Sequence, residues 1–325
     1  MVIDTFTVAD SRINVGGTAS FTVGGYYAYD GGAWSGSYSL NDTATKSVVG
    51  KYGYRITSIT DSNYGLTVFE QTVPDIYVIF DKITITLSVA DNRIDVDSAA
   101  NWSYTATYQY DGADATPYVS LTLNDTLTKN AVGKYGYTVS SISETQYGLT
   151  AFSSNSFYII FDNVQFTIIV VDSRINVGET AQLTVSGTYA YDGSAFQGTY
   201  SLNDTTTKNT VGKFGFKVSS MTETAYGLTV FETNEVYVIW DRVQIPLSVV
   251  DDRINVGDTA EYSFVAIYEY DDVDATPYVT VTLSDTLTKS SVGRYGYTVQ
   301  SITKSQYGLT AFTSNSFYVI FDKLP

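Results

Sequence analysis

Cysteine and histidine are both absent from this chain of 325 residues. Without cysteine, disulfides, zinc–thiolate sites, iron–sulfur clusters and cysteine nucleophiles are excluded. Without histidine, the Ser–His–Asp triad, histidine-bound metals and the usual general base are excluded. Only paired carboxylates remain for acid–base chemistry, and no acidic pair stands out from the aspartates of turns. We therefore predict that the chain is not an enzyme and has no cofactor, apart from a calcium ion considered below.

Basic residues are scarce, because 18 Lys and Arg face 34 Asp and Glu, for a net charge of −16. Nucleic acids and anionic membranes attract basic surfaces, so neither is an expected partner. The sequence contains no apolar run of about 18 residues and starts without the basic and apolar segments of a signal peptide. We expect no direct membrane insertion.

The chain consists of four copies of a unit of about 80 residues. Successive Asp-x-Arg-Ile phrases are separated by 81, 81 and 79 residues (91 − 10, 172 − 91 and 251 − 172). Repeats 1 and 3 share one short loop segment and repeats 2 and 4 share a longer one, so the order is A-B-A-B. The predicted domains are 1–81 (type A), 82–162 (type B), 163–241 (type A) and 242–325 (type B).

Hydrophobic residues alternate with polar ones in several stretches of the repeats. Ile83, Ile85, Leu87 and Val89, for example, are separated by Thr or Ser. A period of two predicts half-buried antiparallel strands, and turn signals every 8–12 residues are typical of a β-sandwich. The apolar run at 317–321 predicts a central strand covered on both faces. We expect an all-β fold of four antiparallel sandwiches.

The motifs R-I-N-V-G-x-T-A, L-N-D-T-x-T-K, V-G-K-Y-G-Y-T-V and Y-V-I-F-D resemble the tandem immunoglobulin-like repeats of large prokaryotic, especially archaeal, cell-surface proteins. The resemblance covers all four repeats. It implies immunoglobulin-like domains of extracellular stalks, adhesins or envelope layers, and no catalytic residues. Because the chain begins and ends at repeat boundaries, we expect a fragment of such a protein, with signal and anchor absent.

The Gly-x-Tyr-x-Tyr phrase is similar to the tyrosine corner of immunoglobulin-like folds, where a tyrosine hydroxyl ties the corner to the backbone. An aromatic residue then replaces the cysteine of that motif, and Phe214 replaces the first tyrosine in repeat 3. The aromatic residues at the cysteine position are Tyr54, Tyr137, Phe216 and Tyr297.

No Gly/Ser-rich or Pro-rich linker separates the repeats, and each junction spans about two residues, as in Phe80-Asp81-Lys82-Ile83. Such junctions predict an extended rod of about 130–160 Å.

The Asp-x-Arg motif places both side chains on one strand face. A partly exposed ion pair is one interpretation, and a junction-setting arginine is the other. In the second case Arg93→Ala would loosen repeat 1 against repeat 2.

Acidic residues cluster in repeat 4 at Glu269, Asp271, Asp272 and Asp274, with Asp111 and Asp114 at the matching place in repeat 2. Hard oxygen ligands suit calcium, so Asp271, Asp272 and Asp274 are calcium candidates. The EF-hand spacing fails, and the alternative is a solvated acidic loop.

One lysine per repeat follows an aspartate by four positions. An isopeptide cross-link to asparagine needs a buried neutral lysine, whereas the surrounding threonines favour an exposed edge-strand lysine. These lysines are Lys46, Lys129, Lys208 and Lys289.

Two further sets of residues are candidates for binding or modification. Glycosylation sequons occur at Asn41, Asn101, Asn124 and Asn203, and the Asn-Asp pairs among them also suit a turn. Loop aromatic residues that suit sugar stacking or core packing are Trp34, Tyr118, Phe196 and Tyr278.

Together these features predict a non-enzymatic structural and adhesive repeat array, either a stiff stalk or an envelope component of a cell-surface protein. The alternative is an array of carbohydrate-binding modules. The expected partners are a surface ligand or neighbouring repeats of a longer chain.

Overall fold

The computed structural model, which describes residues 1–303 and 305–323, is built from short β-strands joined by turns and loops. The chain divides into two compact units, Met1–Asp162 and Asn163–Pro325, with two sequence repeats in each. Within the described residues the helices are two 3₁₀ turns, Thr116–Tyr118 and Thr276–Tyr278, and neither is long or apolar enough to cross a membrane. The prediction of an all-β fold is confirmed.

Sixteen strands form unit 1. Repeat 1 contains β1 (Val2–Val8), β2 (Arg12–Asn14), β3 (Phe21–Tyr26), β4 (Gly36–Leu40), β5 (Gly50–Tyr54), β6 (Ile56–Asp61), β7 (Glu70–Gln71) and β8 (Ile76–Asp81). Repeat 2 contains β9 (Ile83–Val89), β10 (Arg93–Asp95), β11 (Trp102–Tyr108), β12 (Val119–Leu123), β13 (Gly133–Tyr137), β14 (Val139–Glu144), β15 (Phe152–Ser154) and β16 (Phe157–Asp162).

The same strand sequence recurs in unit 2. Repeat 3 contains β17 (Val164–Val170), β18 (Arg174–Asn176), β19 (Leu183–Tyr189), β20 (Gly198–Leu202), β21 (Gly212–Phe216), β22 (Val218–Glu223), β23 (Phe231–Thr233) and β24 (Val236–Asp241). Repeat 4 contains β25 (Val243–Ile245), β26 (Leu247–Val249), β27 (Arg253–Asn255), β28 (Tyr262–Phe264), β29 (Ile267–Tyr268), β30 (Val281–Leu283), β31 (Gly293–Tyr297), β32 (Val299–Ile302), β33 (Phe312–Ser314) and β34 (Phe317–Asp322). Pro246 separates β25 from β26 because proline cannot donate to the ladder.

Repeats 1 to 3 each contain the same three small sheets, and repeat 4 contains four because Pro246 separates β25 from β26. In repeat 1 their strand orders are β3-β1-β7, β2-β8-β5 and β4-β6. Most pairings are antiparallel, but β1 pairs with β7 and β2 with β8 in parallel. The predicted antiparallel sandwich thus contains two short parallel pairings as well. Long crossovers through the rest of the repeat make these two parallel pairings feasible.

The sheets of one repeat enclose a common apolar core. In repeat 1, Ile3 from β1, Tyr54 from β5, Ile59 from β6 and Phe80 from β8 are all at most 2% exposed and belong to one cluster. The alternating strands thus turn one side inward, as a sandwich requires. Equivalent residues form clusters in the other repeats.

The aromatic corner is present in the repeats that carry tyrosine. The Tyr54 hydroxyl donates to the Thr43 carbonyl oxygen at 3.0 Å, and the Tyr52 hydroxyl donates to that of Val48 at 3.2 Å. Tyr137 and Tyr297 repeat the first bond. Phe216 has no hydroxyl, and its fully buried ring packs against Trp240 at 5.8 Å.

The last strand of each repeat is central in its sheet, but only one face is covered by the core. Tyr318 in β34 remains 49% exposed and lies beside Gly296 of β31, where a Cβ would come within 2.9 Å of its ring. The Arg294 guanidinium lies 4.2 Å from the ring centroid. The prediction that both faces are covered is wrong, because a tyrosine and a cation shield the outer face instead.

Candidate functional site at the junctions within each unit

A single residue connects the two repeats of each unit. Strand β8 ends at Asp81 and β9 begins at Ile83, so Lys82 alone joins them. Asp81 Oδ1 accepts hydrogen bonds from the Lys82 amide at 2.8 Å and from the Tyr110 amide of the next repeat at 2.9 Å. The connecting aspartate thus binds both sides of the junction. In unit 2, Asp241 accepts equivalent bonds from Arg242 at 2.8 Å and Tyr270 at 3.0 Å.

An arginine from β2 crosses the same junction. Arg12 is 6% exposed, and its guanidinium forms an ion pair with Asp111 of repeat 2. Its Nε lies 3.8 Å from Asp81 Oδ2. The interpretation of Asp-x-Arg as a partly exposed pair is therefore wrong for this arginine, which is buried between two repeats. In unit 2, Arg174 pairs with Asp271 at 2.5 Å and lies 3.5 Å from Asp241.

Two tyrosines of the following repeat enclose the arginine. The Arg12 guanidinium lies 4.8 Å from the ring centroids of both Tyr108 and Tyr147, which pack edge to face at 5.3 Å. Cation–π contacts of partly desolvated arginines contribute about 0.5–2 kcal/mol each. In unit 2, Arg174 lies 5.0 Å from Tyr268 and 4.5 Å from Tyr307.

An asparagine two residues after the arginine binds the backbone of the following repeat. Asn14 Oδ1 accepts hydrogen bonds from the amides of Thr150 and Ala151, both at 2.8 Å. Asn176 accepts the same pair of bonds from Thr310 and Ala311, again at 2.8 Å. We call this arrangement the junction clamp, formed by Arg12, Asn14 and Asp81 in unit 1 and by Arg174, Asn176 and Asp241 in unit 2.

The carboxylates of the clamp lie in different environments. Burial raises the pKa of Asp81, which is fully covered, although two amide bonds and Arg12 oppose this effect. Burial also acts on Asp111, but its hydrogen bonds with Arg12 and the Ala113 amide outweigh it and lower its pKa. The guanidinium therefore compensates a buried acid on one side and binds a half-exposed one on the other.

The arginines of repeats 2 and 4 have different surroundings. Arg93 donates to Asp162 through Nε at 2.9 Å and Nη2 at 2.6 Å. Arg12, not Arg93, lies between repeats 1 and 2, so the substitution that tests this junction is at Arg12. Arg253 donates to Asp322 at 2.7 Å, with its side chain 61% exposed.

The three calcium candidates do not converge on one common site. Asp271 pairs with Arg174, and Asp274 Oδ1 accepts the Thr276 amide at 2.8 Å. Asp272 is exposed in the left-handed backbone region, with φ of 58°. Within residues 1–303 and 305–323, no group of three or more acids is arranged to hold a metal ion. The calcium site stays a prediction.

The four lysines are more covered than the sequence indicated. Lys46 pairs with Asp42, and its side chain is 13% exposed. Its ammonium also lies 5.0 Å from the Tyr52 ring centroid. The expectation of an exposed edge lysine is corrected, because the aspartate and the ring cover it. Lys129, Lys208 and Lys289 form the same contacts.

All four sequon asparagines are exposed, but three of them stabilise a turn. Asn41 Nδ2 donates to the Gly53 carbonyl oxygen at 3.2 Å, and its Oδ1 accepts the Arg55 amide at 2.8 Å. Asn124 and Asn203 form the same bonds. Asn101 precedes β11 rather than this turn. Glycosylation stays a prediction at all four positions.

The loop aromatic residues fall into two groups. Trp34 packs against the core of repeat 1, and Phe196 packs against Phe166 at 5.1 Å. Tyr118 and Tyr278, at the ends of the two 3₁₀ turns, are 41% and 49% exposed. Of these four residues, the two tyrosines of the B-type repeats present surface for stacking.

A carboxylate that binds the Tyr-Gly-Leu loop was missed by the sequence analysis. Glu144 accepts the Tyr108 hydroxyl at 2.9 Å and the amides of Tyr147 and Leu149, both at 3.0 Å. It thereby positions both tyrosines that enclose Arg12. Glu223 occupies this place in repeat 3 and Asp61 in repeat 1. The sequence signal that would have identified this carboxylate is an acidic residue three positions before the Tyr-Gly-Leu motif.

Repeat 4 departs from this pattern. Lys304 stands at the position of Glu144 and lies outside the described residues. Ser305 Oγ accepts the Leu309 amide at 3.1 Å in place of the carboxylate. The buried Tyr268 hydroxyl has no hydrogen-bond partner among the described residues.

No protein-family model matches the sequence, and no curated protein does. Similar solved structures include invasin, a bacterial integrin-binding protein, at 14% identity and a TM-score of 0.29, covering 98% of this chain and 79% of that one. Yersinia pseudotuberculosis InvD is 12% identical with a TM-score of 0.21, covering 97% and 96%. Three N-terminal domains of the bacteriophage RB49 outer capsid protein Hoc are 11% identical with a TM-score of 0.29, covering 74% and 87%. At these identities and scores the similarities carry no argument about function.

Proposed function

We propose that the chain is a non-enzymatic structural and adhesive array of immunoglobulin-like domains in an extracellular or cell-surface protein. The observation that supports this proposal is the junction clamp, which consists of the same residue types in both units. A spacer that holds a binding partner away from a surface needs connections that resist bending. A one-residue connector and a buried arginine supply that resistance within each unit.

The proposal includes the four domains 1–81, 82–162, 163–241 and 242–325. Separate apolar clusters in the four repeats support this division. Because each repeat of about 80 residues has a small core, contact with a neighbouring repeat contributes to its stability.

Small-angle scattering of the intact chain tests the stalk. We expect a maximum dimension of about 130–160 Å, from the length of four strands of about 10 residues each. Arg12→Met combined with Arg174→Met should broaden the distribution of interatomic distances, whereas Arg294→Met, at an exposed site outside both junctions, should leave it unchanged. A maximum dimension below about half the expected value would refute the stalk.

Carbohydrate binding is the second candidate, and one observation favours it. Tyr118 and Tyr278 expose their rings at matching places in the two B-type repeats. A glycan array comparing the intact chain with the Tyr118→Ala/Tyr278→Ala variant would separate the candidates. Glycan binding by the intact chain that is lost in the variant supports carbohydrate binding. Absence of glycan binding by the intact chain contradicts it.

A further inference from the structure

Repeat 4 exposes a copy of the arginine and asparagine of the junction clamp. Strand β27 pairs with β34 in the register of β2 with β8, so Asn255 lies beside Asp322 as Asn14 lies beside Asp81. The Arg253 side chain is 61% exposed, against 7% for Arg12. With Ile254 and Lys323, these residues line a shallow depression of about 330 Å³. We call this surface the clamp face.

Repeat 1 exposes the residue types that the clamp contacts elsewhere. The rings of Tyr27 and Tyr64 pack edge to face at 5.1 Å, as Tyr108 and Tyr147 do at 5.3 Å. Asp61 accepts the Tyr27 hydroxyl at 2.6 Å and so positions that ring in advance.

Asp30 completes this second surface. It holds the turn position of Asp111, and its Oδ1 accepts the Gly32 amide at 3.0 Å, much as Asp111 accepts that of Ala113 at 3.2 Å. We call the surface formed by Tyr27, Asp30, Tyr64, Leu66 and Val68 the receiving face.

The receiving face is far more exposed than its equivalents. Tyr64 is 72% exposed and Leu66 is 43% exposed. The equivalents in repeat 2, Tyr147 and Leu149, are 38% and 0% exposed. Val68 is 83% exposed in repeat 1. An apolar patch of this kind marks an interaction surface.

We propose that the clamp face of one copy binds the receiving face of a second copy, so that the chain associates head to tail. Arg253 then lies between Tyr27 and Tyr64 and pairs with Asp30. Asn255 accepts the amides of Thr67 and Val68. A second copy is the occupant because both faces carry the residue types and registers of the junctions inside each unit. This inference does not depend on the proposed function.

Two consequences follow for the association. A contact between two different faces leaves one of each free in a bound pair, so further copies add unless the assembly closes into a ring. Without the covalent connector the contact is weak, with a dissociation constant on the order of 0.1–1 mM for a small interface.

The proposal is tested by sedimentation equilibrium of the intact chain at about 0.02–1 mM. The buffer contains 0.15 M salt, where charges more than about 8 Å apart are largely screened. The weight-average mass should rise above 35.6 kDa with concentration. Arg253→Asp and Asp30→Arg should each weaken association by about tenfold or more, because like charges then face each other. Both sites are exposed, so the fold is expected to persist, and circular dichroism checks it.

An equimolar mixture of the two variants should restore association, because each variant then presents a face that complements the other. Matched controls carry the same charge changes away from both faces, at exposed Arg55 and Asp75, and should associate like the unmodified chain. A mass that stays at 35.6 kDa overturns the proposal and leaves both faces to neighbouring repeats of a longer chain. Association by the single variants, or no recovery in the mixture, also overturns it.

Discussion

Replacement of Arg12 by methionine tests the junction clamp most directly. Methionine keeps much of the apolar stem but removes the ion pair with Asp111 and the ring contacts with Tyr108 and Tyr147. It also leaves Asp81 buried without a compensating cation. Removing one partner of a buried ion pair costs about 3–5 kcal/mol. Because the Asp111 side chain is 39% exposed and water replaces part of its interaction, we expect the lower value, about 3 kcal/mol.

Hydrogen–deuterium exchange of the intact chain measures this loss at the junction. The amides of Tyr110, Thr150 and Ala151 donate across it, so they report its opening. A loss of about 3 kcal/mol accelerates their exchange by about 100-fold, since 1.4 kcal/mol is tenfold. The amides of Tyr270, Thr310 and Ala311 bind the unmodified clamp of unit 2 and serve as an internal reference.

Two further variants separate charge from general damage. Arg55→Met, at an exposed site in the same repeat, should leave these rates unchanged. Arg12→Met combined with Asp81→Asn should recover part of the protection, because the uncompensated buried charge is gone. Exchange in Arg12→Met that stays equal to the reference in unit 2 would refute the assigned role of the arginine.

Three other measurements follow from the site. Hydrogen bonds from Tyr189 and the loop amides outweigh burial and lower the pKa of Glu223 to about 2 from 4.5, so the stability that they provide is present above pH 4.5 and lost toward pH 2. In acid titrations, Glu223→Gln should therefore lower the stability near neutral pH and flatten its dependence on pH. Parallel curves for the variant and the unmodified chain would contradict the assignment. Lys304→Glu should give the Tyr268 hydroxyl an acceptor and slow amide exchange at Leu309, for a gain of about 1 kcal/mol, and faster exchange would contradict this. In a glycosylating host, site mapping by mass spectrometry should find Asn101 modified more fully than Asn41, whose amide nitrogen already donates to Gly53, and the reverse order would contradict this.

Features that depend on nearby residues were predictable from the sequence. Alternation at Ile83, Ile85 and Leu87 predicted a strand with one buried face, and all three side chains are at most 3% exposed. The aromatic residue in place of the corner cysteine was also predicted, because its motif is local. The covered lysines were missed, because threonines are common in exposed loops and the sequence does not place Tyr52 over Lys46.

The junction clamp needed the structure, because its contacts join residues far apart in the chain. Arg12 and Asp111 are 99 positions apart, and Asn14 and Thr150 are 136 apart. The sequence did carry one trace of this pairing, since repeats 1 and 3 read Arg-Ile-Asn while repeat 2 reads Arg-Ile-Asp. Without the fold, that difference could not be assigned to the face that meets the next repeat.

The two 2.8 Å hydrogen bonds that Asn14 accepts come from peptide groups of the following repeat, and its Nδ2 also donates to the Thr150 hydroxyl at 3.3 Å. Peptide groups do not change when side chains mutate, so residues at these positions are free to diverge as long as the loop keeps its path. Newly duplicated pairs of repeats would inherit a working connection from the first generation. The two repeats of such a pair can therefore diversify their surfaces after gene duplication while the joint between them persists.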